Sequence, residues 1–280
     1  MGAWASALAG LPFLGGLHLP GPGSGARAVV RGWAEAFALC YGALAATACA
    51  EAVANANCRR LGRLPIIALT NPAPDRFPPG PVARAAAAAA LGADDRPLFV
   101  AIGRLSPEKD LDTALSAARL LLDRRIAFRL ALVGSGPNTA RLAARVMALG
   151  LGSQVALTGP RDDIPAILAI ADAYVGPGLT EGLSMAMLEA MAEGLPVIVS
   201  DLGEARSFIA DGAGILVPPR DPTALADAMA RVAGDRELRA RLGAAARAQI
   251  AARGDADRWR QALASLYRAA AEGRPLLDGS

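Results

Sequence analysis

Beyond Pro97 the chain alternates between two hydrophobic patterns. Short, nearly continuous apolar runs occur at Leu98–Ile102, Arg129–Val133, Val155–Leu157, Ala173–Val175, Pro196–Ser200 and Gly214–Val217. Between and after them, apolar residues recur at helical spacing over Leu111–Asp123, Asn138–Leu149, Asp163–Ala169, Ser184–Glu193, Gly203–Ala210, Pro222–Ala233 and Arg236–Arg253. Runs without polar alternation suit strands covered on both faces, and strands separated by helices predict a parallel, doubly wound sheet. Asp110 before one helix and Asp221-Pro222 at the start of another are helix-start signals. A last helix is predicted over Asp255–Ala271, with Trp259, Leu263, Leu266 and Tyr267 on one face.

The pattern before Pro97 is less regular. Leu11–Leu19 is strand-like, and a Gly/Pro loop follows it to residue 25. Residues 28–62 are predicted helical in two pieces broken near Gly42, with Ala36–Ala50 as a buried helix. Ile66–Thr70 is a β-branched run ended by Asn71-Pro72-Ala73-Pro74; Pro78–Pro81 is a turn cluster, and Ala83–Leu91 a short helix. With 280 residues there is room for two modest domains. The expected division is 1–94 as a partial N-terminal domain with linker, 95–254 as the regular domain, and 255–280 as a C-terminal helix and tail packing back on the N-terminal part.

Composition narrows the function. Net charge is +3 with scattered basic residues, and aromatics make up 4% of the chain, which argues against a stacking platform for nucleic acid. Cys40, Cys49 and Cys58 stand nine residues apart, a spacing that on one helix puts Cys49 opposite the other two. There is no CxxC, and His18 is the sole histidine, so no metal site is expected. Free thiols suit a reducing cytoplasm. The first nineteen residues lack Lys and Arg and are interrupted by Pro12, Gly15 and Gly16, a poor match to a signal peptide. No uncharged apolar run approaches the ~20 residues that span a bilayer.

Chemistry concentrates at 176–201, GPGLTEGLSMAMLEAMAEGLPVIVSD. A Pro/Gly loop opens directly into a helix, and a helix N-terminus offers unpaired N–H groups and a positive dipole end to a phosphate. Glu181 stands in the loop and Glu189 two turns on, positioned to accept hydroxyl protons from a sugar and a ribose. Met185, Leu188 and Met191 are expected to face the core. The stretch reads equally as a buried helix with two solvated glutamates. In open parallel sheets ligands bind beyond the carboxyl ends of the strands. Gly103-Arg104 follows the first strand of this domain, with Lys109 five residues on, a cation pair suited to a diphosphate or simply surface charge. Gly134-Ser135-Gly136-Pro137 lacks the third glycine of a dinucleotide fingerprint and reads as a tight turn beside a ligand. Gly159-Pro160-Arg161-Asp162 reads as a turn against which a base could lie.

Taken together, these segments resemble glycosyltransferase family four, retaining enzymes of the GT-B fold. GRLSPEKD (103–110) resembles the family's G-R-x4-K-G segment, LVGSGP (132–137) its second strand and turn, and GPRDDIPAIL (159–168) its next strand end and helix. EGLSMAMLEAMAEGLPVIVSD (181–201) resembles its E-x7-E motif, and GAGILVPPRDPTALADAM (212–229) its trailing strand and helix. In the first part, GLHLP (16–20), ATACAEAVANA (46–56) and PIIALTNPAPDRF (65–77) resemble the later half of the family's acceptor domain, without its opening strand and glycine-rich loop. The resemblance implies an α/β, GT-B-like fold: a complete C-terminal Rossmann-like parallel sheet plus a partial N-terminal Rossmann-like domain. It implies transfer of a hexose from a nucleotide-diphosphate-sugar to a glycan, lipid or small-molecule acceptor, with no cofactor or metal and no nucleic acid. By the same resemblance Arg104 and Lys109 bind the diphosphate, with Gly134 and Arg161 also on the donor side. Glu181 contacts sugar hydroxyls, backbone N–H groups of Gly182, Leu183 and Ser184 lie near sugar and phosphate, Glu189 binds the ribose, and His18 lines the acceptor side. Asp110 stands where the family usually has glycine, and Ser184 where it often has one. A lipid acceptor would place the cytoplasmic protein peripherally at the inner face of the membrane, with Arg59, Arg60 and Arg63 as a basic patch. The rival readings are a nucleotide-sugar-binding remnant without transfer and a GT-B-type sugar epimerase.

Overall fold

The computed structural model describes residues 12–18, 26–72, 78–209, 212–253 and 256–276. The expected Gly/Pro loop at 20–25, the segment 73–77 and the tail beyond 276 lie outside them. Contacts divide the chain into two compact units. The first comprises Met1–Pro72, Thr180–Leu183 and Gly254–Ser280, and the second Ala73–Leu179 and Ser184–Arg253.

In the first unit, three strands form a parallel sheet in chain order: β1 (Leu14–Leu17), β2 (Ala45–Ala48) and β3 (Ile66–Ala68). Helix α1 (Ala26–Gly42) connects β1 to β2, and α2 (Glu51–Leu61) connects β2 to β3. Strand β2 corrects the expectation of helix throughout 28–62 and of a buried helix at Ala36–Ala50. The break at Gly42 exists, but the four residues AATA beyond it are extended. Alanine favours helix locally, yet Ala45, Ala46 and Ala48 are buried between two flanking strands, where pairing overrides propensity. Buried Asn57 accepts two hydrogen bonds from the Arg60 guanidinium, which also reaches the Gly32 carbonyl (3.1 Å) and Glu35 (3.0 Å) and so ties α2 to α1.

The second unit holds a six-stranded parallel sheet in the order β6-β5-β4-β7-β8-β9. Its strands are β4 (Leu98–Ile102), β5 (Arg129–Val133), β6 (Val155–Gly159), β7 (Ala173–Gly176), β8 (Val197–Ser200) and β9 (Ile215–Val217). Its helices are α3 (Pro81–Leu91), α4 (Leu111–Asp123), α5 (Thr139–Ala148), α6 (Ile164–Ile170), α7 (Met185–Glu193), α8 (Gly203–Ile209), α9 (Pro222–Gly234) and α10 (Arg236–Arg253). Helix α4 packs on α5 and α9, and α7 packs on α6 and α10, the two-sided cover that the apolar strand runs require. The core gathers Phe99, Leu115, Phe128, Leu130, Leu132 and Ile198. Helix α3 packs on α6 within this unit, whereas the sequence had placed it with the N-terminal part, before a boundary at residue 94. A final helix, α11 (Ala256–Ala271), groups with the first unit; its Tyr267 is exposed.

Strand order fixes where this sheet can bind a ligand. The chain runs outward from β4 to β5 and β6, then returns to β7 and runs outward the other way. The reversal lies between β4 and β7, the switch point at which open parallel sheets form their crevice.

Candidate functional site

The loops after β4 and β7 flank that switch point, and they carry most of the residues singled out by sequence. After β4, Gly103 is followed by exposed Arg104, then a 3-10 turn at Pro107–Lys109 that leads into α4. Lys109 folds back over the strand end, so that a Cβ on Gly103 would lie 3.8 Å from its Cε. Both predicted cations therefore belong to one strand terminus. Lys109 is also the chain's only lysine, every other basic side chain apart from His18 being arginine. That signal was present in the sequence and unused: the one compact ammonium of the chain stands at this strand end, where an ammonium acts as a point charge rather than a fork.

Asp110 occupies the left-handed region (φ 44°, ψ 45°) between the turn and α4. This explains how it replaces the family's glycine, since aspartate tolerates that region better than most residues. Its carboxylate also accepts the Thr113 hydroxyl at 2.7 Å, in the first turn of α4.

The β4 and β7 loops are joined directly. The Leu179 N–H donates to the Glu108 carbonyl at 2.8 Å. Buried Ser106 donates its hydroxyl to the Glu108 carboxylate at 2.5 Å. That hydrogen bond, helped by the charges of Arg104 and Lys109, holds the carboxyl below its usual range. Sequence reasoning missed Ser106, Glu108 and Leu179: the Leu179–Glu108 main-chain bond leaves no mark in residue type, and the Ser106–Glu108 side-chain bond depends on the fold of the turn.

Helix α7 starts at the end of the β7 loop. Ser184 is its N-cap: its hydroxyl accepts the Met187 N–H (3.3 Å) and lies 3.5 Å from the Tyr174 hydroxyl. The hydroxyl is thus engaged in the cap, and the backbone N–H remains for a ligand. The N–H groups of Gly182, Leu183 and Ser184 donate to no described residue. One turn further, Glu189 is half-buried and bonded to no described residue; burial alone pushes its carboxyl above the usual range. Leu188 and Met191 are fully buried as expected, but Met185 is exposed and Met187 takes the core position instead.

Gly134 and Arg161 stand at the ends of β5 and β6, each packed or paired within its own surroundings. A Cβ on Gly134 would lie 2.0 Å from the Gly103 carbonyl oxygen, so the missing side chain makes room for the neighbouring loop. The same holds for Gly136, where a Cβ would lie 2.4 Å from the Leu105 carbonyl. The Arg161 guanidinium forks onto Asp163 (2.8 and 2.6 Å) at the start of α6, a pairing that lowers the Asp163 pKa.

Within the first unit, Thr180–Leu183 packs on the ends of β1 and β2. A Cβ on Gly182 would lie 1.8 Å from the His18 carbonyl oxygen and 3.3 Å from Cys49 Sγ. Position 182 is glycine because the β1 terminus abuts it, and this brings exposed His18 beside the loop that carries Glu181. Cys49 is buried and Cys40 and Cys58 are exposed, the split that the nine-residue spacing anticipated, although the three lie in or beside different elements rather than on one helix. Among the described residues no group of three or more His, Cys, Asp or Glu is arranged to hold a metal ion. Among them also, no helix is long and apolar enough to cross a membrane.

The sequence and the fold are similar to those of known proteins. The model of the family described as glycosyl transferases group 1 matches residues 84–249. A GDP-mannose-dependent alpha-(1-6)-phosphatidylinositol monomannoside mannosyltransferase of Mycobacterium tuberculosis is 33% identical over 204 residues, 69% of this chain and 53% of that protein. Alpha-D-kanosaminyltransferase of Streptomyces kanamyceticus is 32% identical over 186 residues, 63% of this chain and 47% of its own length. The chain spans about half the length of these curated relatives. Among solved structures, Anabaena HepE in complex with UDP-glucose superposes with a TM-score of 0.84 at 24% identity, covering 94% of this chain and 74% of that one. The architecture is accordingly GT-B.

Proposed function

The chain belongs to the glycosyl transferases group 1 family, and from that premise we propose that it transfers a hexose from a nucleotide-diphosphate-sugar to a glycan, lipid or small-molecule acceptor, with retention. One observation carries the reading: the two loops at the switch point are bonded to each other, one bearing Arg104 and Lys109 and the other opening into the helix that holds Glu189. In this reading the two cations hold the diphosphate, and the N–H groups of Gly182, Leu183 and Ser184 accept anionic oxygen at the helix mouth. Glu189 exchanges its partially desolvated state for hydrogen bonds from the ribose hydroxyls. Glu181 orients the sugar, and His18 lies on the acceptor side. Gly134 and Arg161 border the donor from the ends of β5 and β6, Gly134 also packing against the Gly103 loop and Arg161 held by Asp163. Charge that develops on the departing diphosphate is met by fixed cations and dipoles, and the leaving phosphate takes the acceptor proton on the same face, with no metal or cofactor required.

Two similar proteins support the donor class: the mycobacterial relative is GDP-mannose-dependent, and the HepE structure contains UDP-glucose. A lipid acceptor would bring the cytoplasmic protein to the inner membrane face, where exposed Arg59 and Arg63 meet anionic headgroups.

The test is thermal unfolding with UDP, GDP, ADP and CMP, on wild type and Glu189→Ala. A nucleotide at a hundred times its Kd should stabilise the wild type by about 2.7 kcal/mol. Loss of one or two charge-assisted hydrogen bonds in the variant should weaken binding by about 1.5–3 kcal/mol. No shift with any nucleotide would refute the donor site. Donor binding without transfer to any acceptor would make the chain a binding protein.

A further inference from the structure

The donor-site reading leaves one charged group at the switch point without a role. Glu108 is fixed at both ends, its carbonyl by the Leu179 N–H and its carboxylate by the hydroxyl of buried Ser106. Ser106 is 3% exposed, and its single hydroxyl proton is committed to the carboxylate at 2.5 Å, its contact with the Arg104 carbonyl being far longer at 3.4 Å. The loop junction needs only the Glu108 main chain, so any residue that keeps the turn would serve it. A buried hydroxyl that holds a carboxylate in the turn between Arg104 and Lys109 has an electrostatic consequence instead. It places a permanent negative charge beside the two cations assigned to the diphosphate.

Building on that assignment, we infer that Glu108 is a resident counter-anion of the Arg104–Lys109 pair, which sets donor and product affinity below what the cations alone would give. With no ligand, its field offsets the repulsion between two cations held at one strand end. With a diphosphate bound, it opposes the ligand's charge and speeds departure of the nucleoside diphosphate product. The penalty scales with ligand charge and is indifferent to base and sugar. Ser106 is the positioning residue that keeps the carboxylate there.

The experiment is calorimetric titration of the full chain with UDP, GDP, UMP and GMP, comparing wild type with E108Q and E108D. With whichever base the wild type accepts, E108Q should bind the diphosphate on the order of fivefold tighter and the monophosphate about twofold tighter at low salt. Both gains should shrink as salt is raised, and E108D, which keeps the charge, should bind as wild type does. A purely structural role would make E108D and E108Q lose affinity together, with no dependence on phosphate number, and that result overturns the inference. So does an unchanged diphosphate affinity in E108Q, while leaving the donor site intact. Wild type that binds neither diphosphate overturns the donor site and this inference with it.

Discussion

The two sheets are made of different material. The first unit fills β1 and β2 largely with Gly15, Ala45, Ala46 and Ala48, whereas the second buries Phe99, Leu130, Leu132, Val175 and Ile198. Burial energy follows apolar area, so a strand of alanines contributes a fraction of what a strand of Leu, Val and Phe does. Helix α1 sharpens the contrast. Its inward face carries Ala36 and Leu39, while Val30, Trp33 and Phe37, at helical spacing, are 68%, 76% and 52% exposed. The large exposed apolar residues of the second unit, Val82, Met147 and Met185, are far apart in sequence and sit on separate helices. One unit closes its own core; the other leaves Trp33 and Phe37 where they bury little. Stability and nucleotide chemistry are thus expected to reside in the second unit, and apolar contact with something further in the first.

Phe99→Ala should break the comparison from the strong side. It empties a fully buried site and should cost the second unit about 3–5 kcal/mol. Hydrogen exchange should show β4 and β5 amides losing protection while those of β1–β3 keep theirs; equal loss in both would mean that the sheets unfold together. Next comes Gly134→Ala. The position has φ 132° and its Cβ would collide with the Gly103 carbonyl, so strain of about 1–3 kcal/mol is expected, with donor affinity falling as the loops part. Glu189 makes a smaller, pH-dependent contribution. Its carboxyl titrates higher folded than unfolded, so the folded chain holds the proton longer. Ligand-free stability should therefore fall as pH rises from the ordinary glutamate value through the raised one and level off above it. Thermal scans of Glu189→Gln should lack that fall. The smallest effect is predicted for Trp33→Ser, within about 0.5 kcal/mol by chemical denaturation, because so little of Trp33 is buried. A larger loss would show that the α1 face is covered in solution.

Legibility in the sequence followed burial type. The six strands of the second sheet were readable because uninterrupted Val, Ile, Leu and Phe have few alternatives. Strand β2 was not, since AATA is extended only through partners 20 and 31 residues away in sequence, and its composition points to helix. Around the site, Arg104, Lys109, Ser184 and Glu189 were legible by spacing, and the structure places them on the loops and helix beside the switch point. The packing of Gly134 against the Gly103 loop was not legible, since a glycine is needed equally for a close ligand and for a close neighbouring loop. Met185 was misjudged because helical spacing sets a face but leaves its centre open by about a residue.

The loops at the ends of β4, β5 and β6 are joined to one another by main-chain hydrogen bonds. Gly103 N–H donates to Val133, Leu105 N–H to Ser135, Asn138 N–H to Leu105 and Gly134 N–H to Gly159, at 2.8–3.0 Å. Of the side chains, Thr139 braces the Gly136 turn, its hydroxyl accepting the Gly136 N–H (3.0 Å) and donating to the Gly136 carbonyl (2.9 Å), while the missing side chains of Gly134 and Gly136 let the loops approach. Exposed Ser135, Pro137 and Pro160 on the same rim are therefore uncoupled from its shape. Drift or laboratory selection at these three positions can alter what the rim touches while the main-chain lattice beneath stays the same; under the proposed function, that is a route by which donor preference would change at little cost in stability.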